Sequence, residues 1–160
     1  MTGVQTCALP IFWDFAFDEL REQSAQLVNL QYEASAIRRM RKRLRGQRIA
    51  VPELLDRYCG RRVLVTEFIH AALMGDVLRL RREDPMRADA WLEANNIDLR
   101  RVGRRLLFSV YRQIFEHNLY HGDPTPMHIV LLKNNRTALL EFTSTTFTER
   151  EYLEIGRAHV

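Results

Sequence analysis

Between positions 121 and 142 the chain reads HGDPTPMHIVLLKNNRTALLEF, and this stretch holds the residues best suited to chemistry. Asp123 stands in a loop stiffened by Pro124 and Pro126, and Glu141 follows it by 18 positions after two short apolar runs. Phosphoryl transfer asks for such a set: a carboxylate to orient the attacking hydroxyl, and oxygen or amide ligands to hold magnesium on the phosphates. A rigid loop followed by a hairpin supplies both from one local structure. Taken singly, the plain readings are an Asp at a turn and a Glu on a strand's exposed face. Only the whole pattern points to phosphoryl chemistry.

Other constellations carry less. His70, His117, His121 and His128, with Cys59, match no common zinc spacing, and no paired-Cys motif exists. His117 is expected near the end of a long helix, where a cation complements the dipole. Cys59 has no motif that would make it half of a Cys–His nucleophile pair. Two cysteines in all, Cys7 and Cys59, exclude a disulfide framework.

The elements that must position Asp123 and Glu141 can be read from periodicity. Apolar residues from Phe17 to Leu44 recur at helical spacing, with Asp18, Glu19 and Glu22 early and a run of arginines late, so a helix is expected over 15–44 with Gly46 as its stop. Residues 49–55 read as a short extended piece interrupted by Pro52. Residues 63–69 (VLVTEFI) predict a strand after the turn-like Cys59-Gly60. Asp84-Pro85 reads as the N-cap and first residue of a helix that ends near Asn95-Asn96. A longer helix is expected over 98–119, with Leu99, Val102, Leu106, Val110, Ile114 and Phe115 inward. The apolar runs 129–132 and 137–142 form a hairpin around Lys133-Asn134-Asn135-Arg136, because Asn tolerates positive φ. No repeat, low-complexity linker or second domain is visible.

The 121–142 stretch resembles the catalytic loop and metal motif of the UbiB/ADCK-type atypical kinases, HADPHPGNI, a hairpin, then ALLDFG. HGDxxxxN loops also occur in aminoglycoside-phosphotransferase-like kinases. Two upstream features favour the first family: VLVTEFI resembles its VLVMEWI hinge segment, and LVNLQYEASAIRRM resembles its ELDYRREAANARRF helix. The resemblance implies a partial protein-kinase-like α+β fold: the end of the small lobe, the hinge, and the start of the helical lobe.

Carried over by position, Asp123 takes the catalytic place and His121 that of the loop-shaping histidine. Glu67, Phe68 and Ile69 take the hinge, whose backbone would meet adenine, and Glu33 matches the glutamate that orients a nucleotide-binding lysine. That lysine, the Ala-rich nucleotide loop and the KxGQ segment are expected upstream of Phe12, so the ATP site is expected to be incomplete here. His128 and Glu141 take the two metal positions, where the family has Asn and Asp. Thr143 replaces the glycine of the second motif, Met127 and Thr125 replace a glycine and a histidine of the loop, and Leu27 replaces the helix's first glutamate. Magnesium prefers hard oxygen ligands, and imidazole suits softer metals. The cofactors implied are ATP and magnesium. The function implied is that of a bacterial UbiB-type kinase or ATPase linked to isoprenoid-quinone (ubiquinone) biosynthesis, with degenerate metal motifs. The alternatives are a pseudokinase acting as a binding or scaffold module, and a small-molecule phosphotransferase of the aminoglycoside-kinase type.

Composition sets the remaining bounds. Of 160 residues, 46% are hydrophobic and 28% charged, ordinary values for a globular protein, and no apolar run approaches the roughly 20 residues of a membrane span. The +4 charge conceals a bias: 22 of the 24 basic residues are Arg. Seven basic residues, six Arg and Lys42, fall within positions 38–48. The plain reading is a solvated helix end; among binding readings the resemblance favours an anionic membrane surface or isoprenoid lipid, with the protein cytoplasmic and peripheral to the membrane's inner face. Aromatic residues do not interleave with the arginines, so nucleic acid is not an expected partner.

The two ends read differently from the rest. Ala8-Leu9-Pro10-Ile11 can be written GCT CTT CCG ATC, whose reverse complement, one frame over, lies inside a coding of positions 154–158. Residues 1–11 and 154–160 thus resemble translated sequencing-adapter DNA, and residues 12–153 are expected to be the native kinase-like part, cut from something longer and leaving an apolar face incompletely covered. Each end-free count keeps the charge at +4, because the ends hold one acid, Glu154, and one base, Arg157.

Overall fold

The computed structural model describes residues 17, 18, 20, 21 and 30–147; residues 17, 18, 20 and 21 are helical. Leu27, the stretch between it and Leu30, and both adapter-like ends lie outside the described residues. Helix α1 runs Leu30–Arg43, with Glu33 in its first turn and Arg41, Lys42 and Arg43 in its last, the polarity the helix dipole favours. Glu33, Ile37 and Met40 form its buried face, and Gly46 at φ 85 ends it.

The chain then enters β1 (Ile49–Ala50) and, past Pro52, pairs loosely with the segment predicted as a strand over 63–69. That expectation needs correction. Only a Leu54–Thr66 bridge forms, flanked by hydrogen bonds from Leu55 N–H to Val65 O (2.9 Å) and Glu67 N–H to Glu53 O (2.8 Å). The Val65 N–H points instead at Cys59 Sγ, 3.4 Å away, so a thiol takes the donor a ladder would have used.

Strand β2 (Ala72–Leu73) leads directly into α2 (Met74–Glu83), a helix that periodicity alone does not reveal. Its N-terminus has no side-chain cap. The Gly75 N–H donates to Pro126 O at 2.8 Å, so the 121–128 loop caps it from a distance in sequence. Helix α3 (Pro85–Ala94) starts as read, with Asp84 accepting from Arg87 N–H. Helix α4 (Leu99–Phe115) is capped by Asp98, which accepts from Arg100 and Arg101 N–H. These two bonds hold the Asp98 carboxyl below the usual range. Helix α4 stops short of 119 because Asn118 turns at φ 45, and Leu119 leaves the helix to be buried.

The last part is a small sheet. Strands β3 (Tyr120–His121), β4 (Ile129–Leu132), β5 (Arg136–Leu139) and β6 (Thr145–Thr146) follow in order. The main sheet has the order β1-β5-β4-β2, with β1 parallel to β5 and the other pairs antiparallel. The β4–β5 turn is the Asn turn expected: Asn134 and Asn135 stand at φ 61 and 58. Strand β3 pairs with β6, His121 opposite Thr145. The main core joins Ile37, Met40 and Leu44 of α1 to Ile129, Leu139 and Phe142 around the hairpin. This is a mixed α+β arrangement. No helix among the described residues is long and apolar enough to cross a membrane.

Candidate active site

The loop that carries Asp123 is held from behind by a buried polar chain. Gln113, on the inner face of α4, accepts from the His121 N–H at 3.0 Å and donates to Ser109 Oγ at 3.1 Å. Ser109 Oγ in turn donates to Gln47 Oε1 at 3.2 Å. A fully buried Gln must have its amide satisfied, and here that requirement fixes where α4 releases the chain into β3. Sequence reading passed over Gln113; the available signal was a polar residue at a helical interval from Val102 and Leu106, on the face assigned to the core.

His121 is buried, its ring edge-on to Phe142 at 5.2 Å between centroids. Burial pushes its pKa down, while the Leu140 and Glu141 carbonyls pull it the other way. The neutral ring therefore donates through Nε2 to Leu140 O, 2.9 Å away. Next to it, the Gly122 N–H donates to Ser144 O at 3.1 Å, and a Cβ at this position would fall inside contact distance of that oxygen. The absence of a side chain lets the 121–128 loop lie flat against the chain leading into β6.

Asp123 is half-buried. Its backbone oxygen accepts from Thr125 N–H at 2.9 Å, and the loop closes through the His128 N–H to Thr125 O at 2.9 Å. The His128 ring turns inward onto Asp123: Nδ1 lies 3.1 Å from the backbone oxygen and 3.2 Å from carboxylate Oδ2. The residue in the family's Asn position thus braces the loop as an amide would.

Glu141 sits at φ 61, a left-handed conformation that costs a non-glycine residue about 1 kcal/mol. Its Oε1 accepts from the Thr143 N–H at 2.9 Å and from the Thr143 hydroxyl. These local bonds hold the carboxylate against its own turn. The following Phe142 N–H donates to Glu33 Oε1 of α1 at 3.2 Å, across 109 positions of sequence. Burial raises the Glu33 pKa; the Phe142 N–H opposes this and the nearby Glu141 charge adds to it.

The structure therefore brings Asp123, His128, Glu141 and Glu33 to one end of the β4–β5 hairpin. Glu67, Phe68 and Ile69 lie on the segment that pairs with residues 53–55. The Glu67 carboxylate accepts from the Glu53 N–H at 2.8 Å, and Phe68 is 78% exposed with its ring against His70. No hydrogen bond or ion pair among the described residues joins these three to Asp123 or Glu141.

Magnesium takes six oxygens in tight octahedral geometry. Among the described residues no group of three or more His, Cys, Asp or Glu is arranged to hold a metal ion. Of the two metal-position side chains, the His128 imidazole is engaged with Asp123 and the Glu141 carboxylate with Thr143. As folded, they do not fit a magnesium ion.

Comparison with known proteins places this geometry. Residues 3–154 match the family model described as the ABC1 atypical kinase-like domain. A probable protein kinase UbiB of Aeromonas hydrophila is 26% identical over 113 residues, 70% of this chain and 18% of that protein. The chloroplastic Arabidopsis thaliana protein named activity of BC1 complex kinase 1 is 29% identical over 108 residues, 67% of this chain and 14% of that one. An uncharacterized Clostridium pasteurianum protein encoded in a hydrogenase 5′ region is 24% identical over 128 residues, 79% and 22% of the two chains. The chain thus spans about a fifth of the length of these relatives. Among solved structures, the Mycobacterium tuberculosis protein Rv3197, determined in complex with erythromycin, superposes with a TM-score of 0.60 at 19% identity, over 89% of this chain and 32% of that one, a likeness of fold. With residues 3–154 matched to the family model, and with the Asp123 loop and its hairpin folded as described, the chain belongs to the ABC1 atypical kinase-like family.

Proposed function

We propose that this chain is the hinge-to-hairpin part of a kinase-like protein that keeps the backbone of a nucleotide site but works as a pseudokinase, a binding or scaffold module. The observation that carries this reading is the engagement of both metal-position side chains with their own surroundings, Glu141 with Thr143 and His128 with Asp123. Both Thr143 bonds fall on Glu141 Oε1 and hold the carboxylate against its own turn, which leaves chiefly Oε2 to serve a cation.

A second reading is favoured by one fact: Asp123 keeps partial exposure in a closed, braced loop. On that reading the protein is a weakly active ATPase or kinase. Asp123 then orients the nucleophile, Glu33 supports the nucleotide lysine and residues 67–69 meet adenine, while His128 and Glu141 would have to leave Asp123 and Thr143 to hold magnesium on ATP. On either reading the protein serves isoprenoid-quinone metabolism at the inner face of a membrane, with residues 12–153 as the kinase-like segment; the UbiB name of two relatives supports the quinone link.

The test uses the full-length protein. Nucleotide binding and phosphate release are measured with and without magnesium, for the natural protein and for a His128→Asn/Glu141→Asp variant. The pseudokinase reading expects magnesium-dependent turnover only in the restored variant. Magnesium-dependent turnover by the natural protein, lost in Asp123→Asn, establishes the second reading instead.

A further inference from the structure

At the turn end of the β4–β5 hairpin, away from Asp123 and Glu141, lies an open cleft of about 580 Å³. Ala72 of β2 and Leu132 of β4 supply apolar surface, Trp91 of α3 and His70 bring two rings, and Lys133 on the turn and Arg136 at the start of β5 bring two cations. No carboxylate among the described residues lines it. Strand β4 is four residues long, so at about 3.3 Å per residue the cleft and the Asp123 loop lie on the order of 13 Å apart. The two sites share a hairpin and no side chain.

The wall that carries the cations is fixed. The Asn134 N–H donates to Asn95 O at 3.1 Å, and Asn96 Nδ2 donates to Asn134 Oδ1 at 2.9 Å, tying the turn to the end of α3. That helix end would ordinarily present bare carbonyls, which repel anions. Here the Trp91 carbonyl is taken twice by Asn95, through its N–H at 3.2 Å and its Nδ2 at 2.8 Å. Lys133 and Arg136 form no ion pair among the described residues, whereas six other pairs do form. Two uncompensated cations beside aromatic and aliphatic surface, in a cleft within the size range of ligand sites, define the complement they would recognise.

We propose that this cleft binds a small, flat organic anion: an aromatic ring system lying against Trp91 and Leu132, with a carboxylate or phosphate directed to Lys133 and Arg136. The site is independent of whether nucleotide is turned over at Asp123.

Trp91 provides the readout. The full chain is labelled with fluorotryptophan, the Trp91 fluorine signal is identified with a Trp91→Phe variant, and naphthalene carboxylate or naphthyl phosphate is titrated in. A saturable shift of that signal is expected, with a dissociation constant on the order of 1 mM for a ligand of this size. A Lys133→Gln/Arg136→Gln variant, altered only at exposed turn positions, should keep its circular dichroism and bind roughly five- to tenfold more weakly. Neutral naphthalene methanol should be weaker by a similar factor, and the tighter of the two anions names the preferred head group. No Trp91 shift at about ten times that concentration, equal binding by the Gln variant, or equal binding of the neutral probe overturns the proposal.

Discussion

At the scale of single residues, the site is shaped by groups whose partners lie far off in sequence. Glu33 reads as an acid in the first turn of a helix, and its position matches a lysine-orienting glutamate; what it touches in the fold is the Phe142 N–H. His121 reads as loop-shaping, and it is, through a buried neutral ring bonded to Leu140 O. Its depressed pKa, set mainly by burial, has a measurable consequence. Unfolded, His121 titrates near its ordinary 6.5; folded, it resists protonation until lower pH. Below about 6.5 the unfolded chain holds the extra proton, so stability is full above that pH and falls as the medium is acidified. His117, shifted the same way by burial, adds to the slope. Glu33, whose pKa is raised from 4.5, acts in the opposite sense: its contribution is complete below 4.5 and is lost as pH rises through the folded value. Urea midpoints between pH 7.5 and 5.5 should therefore fall, and His121→Gln, which keeps a donor for Leu140, should lose most of that slope. An unchanged slope in this variant would show that His121 is not buried neutral.

At the scale of elements, α3, α4 and the β4–β5 hairpin were legible because their signals are local: Asp84-Pro85, Asp98 before an apolar periodicity, and two consecutive Asn residues. Helix α2 was not, because Gly75 sits in its first turn and its N-terminal donor is met by Pro126 O, a partner about fifty residues away. The strand expected over 63–69 failed for a related reason. Strand propensity describes what fits a sheet, and beside this segment only residues 53–55 pair with it. The tightest element contact is between the 121–123 loop and the chain entering β6. Gly122→Ala places a methyl against the Ser144 backbone oxygen, which cannot swing aside, and overpacking of this kind costs about 1–3 kcal/mol. Gly75→Ala meets chiefly the Met127 sulfur, the far part of an exposed, flexible side chain. Chemical denaturation should show a clear loss for the first variant and a smaller one for the second; the reverse order would mean that the β3–β6 contact is not the rigid one.

At the scale of the whole molecule, α4 carries an exposed apolar patch among the described residues. On α4, Leu107, Phe108 and Tyr111 are 58%, 63% and 54% exposed, and Tyr111 stacks on Phe115 at 6.0 Å. Contiguous apolar surface of this kind promotes association. The isolated chain should therefore self-associate with rising concentration in light scattering, and Leu107→Glu/Phe108→Glu should reduce it without loss of helix. Persistence of the association in that variant would assign it to another surface. By itself, the sequence determined the composition class, the loop-and-hairpin pattern, the helix starts and the family resemblance, all of which depend on residues within a few positions of one another. Tertiary structure alone decided which way the polar side chains face. Glu141 holds to Thr143, His128 to Asp123 and Glu33 to Phe142, while Lys133 and Arg136 remain uncompensated beside Trp91. The surroundings of Glu33, Lys133 and Arg136 are settled by packing between elements distant in the chain, whereas Glu141 and His128 close on residues two and five positions away, in turns whose geometry residue spacing does not specify.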